Sequence, residues 1–237
     1  MNLRTSVTAV RDALRRLGVR EGILFVVATA MARVSKGRAR MLRYRFVAQP
    51  AGEPRAQTLR RTAEVIRQVQ SDDPIVAQFP RPRAVIAERF RMGAHCFVAQ
   101  RGERFAGFLW IKESQYPEDE VRCLYLLDEP QRCVWDFDVH VEPQFRLGRT
   151  FVRLWDHASD WMRAHGYAWT ISRISAFNRE SLAAHARLGI RPVGRATFVR
   201  AGRLQVALLD RAPFVHAGWR DDQAPTLRLR PPPAGGV

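Results

Sequence analysis

Lysine is nearly absent from this chain. Of 39 basic residues in 237, only Lys36 and Lys112 are lysines, so a formal charge of +16 rests on arginine. Base-composition bias produces such a skew, and the charge alone names no partner. Its field still draws anions such as coenzyme A, nucleic acid or an anionic membrane. The basic residues are scattered and form no nucleic-acid motif, so nucleic acid is not an expected partner. Cysteine is scarce too. Cys96, Cys123 and Cys133 are an odd set without paired spacing, which excludes a disulfide framework and a cysteine zinc site. They read as buried free thiols in a reducing compartment, and no metal is expected. No run of about 18 apolar residues is available to span a bilayer. The apolar run 22–34 carries the small-residue triplets of a cleavable leader, but a long amphipathic segment precedes it, so the chain reads as cytoplasmic.

What is present is 46% apolar content, enough for a sizeable core, in a chain of one domain with an extension. Residues 2–18 read as an amphipathic helix, with Leu3, Val7, Val10, Leu14 and Leu17 on one face and Arg4, Arg11 and Arg15 largely opposite. Residues 22–35 read as a second, more apolar helix, and 41–49 as a strand. A helical hairpin docked on the main body is one reading of residues 1–36; a peripheral membrane contact is the other, because an arginine-rich face suits anionic lipid. The Pro/Gly composition of 50–59 reads as a linker. Strands are expected over 62–69, 95–100, 104–112, 120–127, 132–141, 168–177, 192–200 and 203–210. Two short helices are expected at 74–79 and 82–92, and longer ones at 150–165 and 179–188. The division is therefore 1–58, helical extension and linker; 59–212, the main domain; and 213–237, a loose Pro/Gly-rich tail.

The stretch 135–190 organises the rest. A strand runs through Val139, His140 and Val141 into Glu142 and Pro143. A basic glycine turn follows, made of Arg146, Leu147, Gly148, Arg149 and Thr150, and it opens a helix. A helix N-terminus offers unpartnered N–H groups and the positive end of a dipole, which suits phosphate. Farther on, Asn178, Ser181, His185, Gly189 and Ile190 follow a strand at fixed spacing. These three segments resemble the GNAT N-acetyltransferase superfamily: its fourth strand with a Val-x-Pro turn, its pyrophosphate loop, and its later Asn-x-x-Ser segment. The resemblance covers 62–210 in element order. The loop departs from the pattern, being one residue short with a single glycine.

The resemblance implies an α/β fold: a GNAT-like, mixed, mostly antiparallel sheet of about seven strands flanked by helices, with the N-terminal helical extension added. It implies acetyl-CoA as acyl donor and an amine acceptor, small molecule or protein, attacked directly. It places the cofactor on the backbone of Val139 and Val141, on Arg146 to Thr150, and on Asn178 and Ser181. It puts His185 where the family has a tyrosine acid. On the residues themselves, period-two alternation sets Asp136, Asp138 and His140 on one strand face, about 7 Å apart, and Trp135, Phe137, Val139 and Val141 on the other. Asp138 or His140 is the candidate base. Arg173 or Arg122 is a candidate ion partner for Asp136. A non-catalytic coenzyme-binding module and a basic membrane or nucleic-acid adaptor remain as alternatives, and a homodimer is left open.

Overall fold

The computed structural model describes residues 3–52 and 64–233. In chain order the elements are α1 (Leu3–Leu17), α2 (Val19–Val34), β1 (Ala39–Pro50), β2 (Glu64–Val69), α3 (Arg83–Arg91), β3 (His95–Arg101), β4 (Arg104–Lys112), β5 (Gln115–Pro117) and β6 (Leu124–Leu127). Then come β7 (Cys133–Val141), α4 (Thr150–Ala164), β8 (Trp169–Ser175), α5 (Arg179–Ala186), β9 (Arg191–Ala201), β10 (Leu204–Leu209), β11 (Val215–Gly218) and β12 (Thr226–Leu229). The fold is α/β, with mostly antiparallel strands, β7 and β8 parallel, and two helices at the N-terminus. The chain forms two compact units, one of Met1–Ala48, Pro117–Leu126 and Arg173–Val237, the other of Gln49–Tyr116 and Leu127–Ser172.

The second unit carries the strand order β8-β7-β4-β3-β2. Its antiparallel meander has two apolar faces because alternate residues point to opposite sides. On one face Val98, Phe105, Phe108 and Trp110 pack with Phe79 from the 3-10 turn Pro74–Gln78 and its exit, and with Ile86 of α3. On the other face lies α4, whose Leu154, Trp155, Ala158 and Met162 recur at helical spacing and are buried. Phe97 of β3 meets Trp161 edge-on at 5.7 Å. Gly107 lets β4 and β7 approach: a Cβ there would sit 2.5 Å from the His140 carbonyl oxygen.

The first unit has the order β11-β10-β9-β1, all antiparallel. Its helices α1 and α2 are joined by Gly18 alone, at φ +81°, a backbone that glycine adopts without strain. They pack tightly at Gly22, where a Cβ would lie 2.8 Å from the Leu14 Cα. Buried charge is satisfied here. Arg173 donates to both oxygens of Glu118 at 2.6 Å, and the Tyr44 hydroxyl donates to Glu120 at 2.5 Å.

Three expectations change. The loose tail is wrong for 215–229: Val215–Gly218 pairs with β10, and Thr226–Leu229 is a strand whose Leu227 and Leu229 are fully buried. The strand expected at 120–127 shrinks to Leu124–Leu127, because the Glu118–Glu120 stretch turns its carboxylates onto Arg173 and Tyr44. The strand at 41–49 is longer, Ala39–Pro50, and pairs with β9. The expected linker lies largely outside the described residues, as do the first two residues of the strand expected at 62–69. Among the described residues no helix is long and apolar enough to cross a membrane. All three cysteines are buried free thiols, and burial pushes Cys123 and Cys133 up to about 12.

Candidate active site

The centre of the site is a defect in β7. Opposite it, Trp110 pairs with Asp138 but Ile111 pairs with Asp136, so Phe137 is an extra residue, a β-bulge. A bulge breaks the alternation of faces. Asp136 goes to the side of Ile111 and α4. Asp138 and His140 go to the side of Trp110, Phe108 and α3. The expectation that all three share one face is therefore wrong, and the extra residue is the reason.

The two carboxylates then meet different neighbours. Asp136 is buried, and it accepts the Thr170 hydroxyl at 2.7 Å and a bond from Ser172. Burial pushes it up to about 7, against the lowering pull of those hydroxyls. Neither expected arginine reaches it: Arg173 binds Glu118, and Arg122 donates to the carbonyls of Arg203 and Gly218. Asp138 is the paired carboxylate. Arg81 holds it with two bonds, 2.8 and 2.9 Å, and Arg89 adds a third at 2.7 Å. Both oxygens are thus turned to guanidinium, which makes Asp138 an anchor for α3.

His140 remains on that face, with its ring 5.7 Å from Phe108 and its Nε2 3.0 Å from Glu142 Oε1. A carboxylate on one ring nitrogen fixes the orientation of the imidazole and leaves the other nitrogen for chemistry. Glu142 was missed at the sequence level, though its position two residues beyond His140 is the signal for a same-side partner.

The backbone of the bulged strand supplies a second feature. The parallel β7–β8 register runs from Cys133↔Trp169 to Trp135↔Ile171 and goes no farther. On the β4 side, the Glu142 N–H donates to the Ala106 carbonyl at 2.9 Å, which fixes that pair as hydrogen-bonded. Antiparallel pairs alternate, so His140 also bonds β4, while Val139 and Val141 turn their N–H and C=O away from it. Arg146 Nε finds the Val141 carbonyl on that outer side at 3.0 Å. Val139 and Val141 therefore present backbone donors along an edge that β8 does not cover.

The basic turn follows directly. Pro143–Phe145 is one 3-10 turn, and the N–H groups of Arg146 and Gly148 are spent on the carbonyls of Pro143 and Phe145. Leu147 and Arg149 are exposed, and α4 begins at Thr150. A Cβ on Gly148 would meet the Phe145 carbonyl at 3.2 Å, so the turn is close-packed without needing positive φ. The short loop thus offers fewer free backbone donors than a glycine-rich loop would. Beneath it Thr150 donates to the buried Glu64 at 2.6 Å, and Arg153 binds the same carboxylate at 3.0 Å. Glu64 had no sequence signal beyond being an acid in an apolar strand.

The remaining candidates lie in the first unit. Asn178 caps α5, its side-chain oxygen accepting the Ser181 N–H at 3.0 Å. His185 is buried, and its Nδ1 donates to the Ser181 carbonyl at 2.8 Å. Burial pushes its pKa down, so it is neutral near pH 7. A neutral ring with its proton on Nδ1 has none on Nε2, which argues against the acid role expected for it.

No curated protein matches the chain. Solved structures of similar form include a functionally unknown conserved protein from Staphylococcus epidermidis (10% identity, 73% of this chain and 67% of that one, TM-score 0.49). A tandem GNAT protein from the clavulanic acid biosynthesis pathway gives 15% identity over 73% of this chain and 58% of that one, TM-score 0.48. A GNAT family acetyltransferase from Elizabethkingia anophelis with acetyl-CoA bound gives 11% identity over 53% and 74%, TM-score 0.40. Residues 63–190, more than half of the chain, match the sequence profile of the acetyltransferase (GNAT) family. The bulged β7, the basic turn and α4 thus stand where that profile lies, and the chain belongs to the acetyltransferase (GNAT) family.

Proposed function

We propose that this protein transfers an acetyl group from acetyl-CoA to an amine. The observation that carries the reading is the uncovered edge of β7, with the N–H groups of Val139 and Val141 turned outward beside a basic turn. Acetyl-CoA supplies the activated thioester. Backbone N–H groups of this kind stabilise charge building on a carbonyl oxygen, and losing one costs about 10²–10³ in rate. Arg146, Arg149 and the start of α4 would hold the pyrophosphate. His140, steadied by Glu142, would take the proton of the attacking amine, a role worth roughly 10²–10⁴-fold. Asp138 positions α3 through Arg81 and Arg89 instead of taking a proton.

The test is calorimetry with acetyl-CoA on the wild type and on Gly148→Asp combined with Arg146→Ala, followed by a thiol-release screen across amines. Binding by the wild type and loss in the variant are expected. A folded wild type that does not bind sinks the reading. Binding without turnover of any amine would favour a coenzyme-binding module, which the 3-10 turn and the neutral His185 would suit.

A further inference from the structure

α2 is apolar on both sides. One side faces β1: Glu21 accepts Arg43 Nε at 2.8 Å, Phe25 meets Phe177 edge-on at 5.4 Å, and Ala28 and Ala32 line a groove with Met41 and Leu42. The opposite side points to solvent, and it is apolar too. Val19, Ile23, Val27, Ala30 and Val34 follow one another at helical spacing, and the four larger ones are 70%, 52%, 46% and 87% exposed. Isolated exposed aliphatics are ordinary. A continuous stripe along the outside of a helix whose other face is already packed is an interaction surface.

The charges around it select the occupant. Arg11, Arg15, Arg16, Arg20, Arg33, Lys36 and Arg38 are all exposed on this hairpin and its exit. The hairpin has two acids, Asp12 and Glu21, and Glu21 is committed to Arg43. Two copies meeting on this face would bring the cations of one hairpin toward those of the other. An anionic bilayer meets both demands at once, accepting the aliphatics below its headgroups and the guanidiniums at its phosphates. We infer that the outer face of α2, with its flanking arginines, is a docking surface for anionic membrane lipid. The inference stands apart from acyl transfer.

The test is co-sedimentation of the full chain with vesicles of pure phosphatidylcholine and with vesicles made half of phosphatidylglycerol. Binding to the anionic vesicles alone is expected, falling steeply as salt is raised. Ile23→Ser with Val27→Glu should abolish it while leaving the melting temperature unchanged, since both sites are exposed. Arg20→Ala should weaken it about fivefold. No binding by the wild type overturns the inference. So does binding that survives Ile23→Ser with Val27→Glu, which would be attraction to net charge. A lipid-free dimer that Val27→Glu converts to monomer would assign the face to a second copy and overturn it as well.

Discussion

Asp136 and Asp138 are two residues apart on one strand, and their surroundings have nothing in common. The first lies among hydroxyls, fully buried against β8 residues and held near the point of titration. The second lies between two guanidiniums that fasten α3 to the sheet. Without Phe137 as an extra residue they would share a face and resemble an acidic pair. With it, one strand serves two chemistries: before the bulge β7 is core, and after it β7 is an accessible edge. That contrast also separates an anchor from the proposed base, because Asp138 and His140 remain together on the α3 side while only His140 keeps a ring nitrogen available.

The largest effect expected from breaking this arrangement is on turnover. His140→Ala should lower kcat/KM by about 10²–10⁴-fold in the thiol-release assay, with acetyl-CoA affinity unchanged. A greater loss from Asp138→Asn at equal stability would move the base to Asp138. Next in size is the anchor. Asp138→Ala removes an anion from Arg89, whose side chain is 7% exposed, and from Arg81, and should cost about 3–5 kcal/mol in urea unfolding. A cost under about 1 kcal/mol would show that the pair is dispensable. The smallest is a slope. The folded value of Asp136, about 7, lies above its unfolded value, so the native state holds the proton more tightly. Its contribution is complete below about pH 4 and is lost as pH rises through 7, at up to roughly 1.4 kcal/mol per pH unit. Asp136→Asn should remove that slope between pH 4 and 7; an unchanged slope would place the titration elsewhere.

Much of this was legible in the sequence. The helix expected at 150–165 is α4, and the helical spacing of Leu154, Trp155, Ala158 and Met162 marks its buried face. The bulge was not. Phe137 is an ordinary strand residue, and the insertion exists only in the register with β4, which alternation along one strand does not contain. The His185 tautomer was hidden for a similar reason: it depends on a carbonyl four residues back that only the helix brings close. The ordered β12 was masked by proline-rich surroundings, although Leu227 and Leu229 alternate as a half-buried strand should.

The outward N–H groups of β7 carry a consequence for how such a site is inherited. They belong to the main chain, so no exchange of Val139 or Val141 for another aliphatic or polar side chain deletes them. Only proline does, because it alone lacks the hydrogen. What a lineage must conserve at these two positions is therefore a register and not a residue. Drift can rewrite the letters of the strand so long as the count opposite β4 keeps its one surplus.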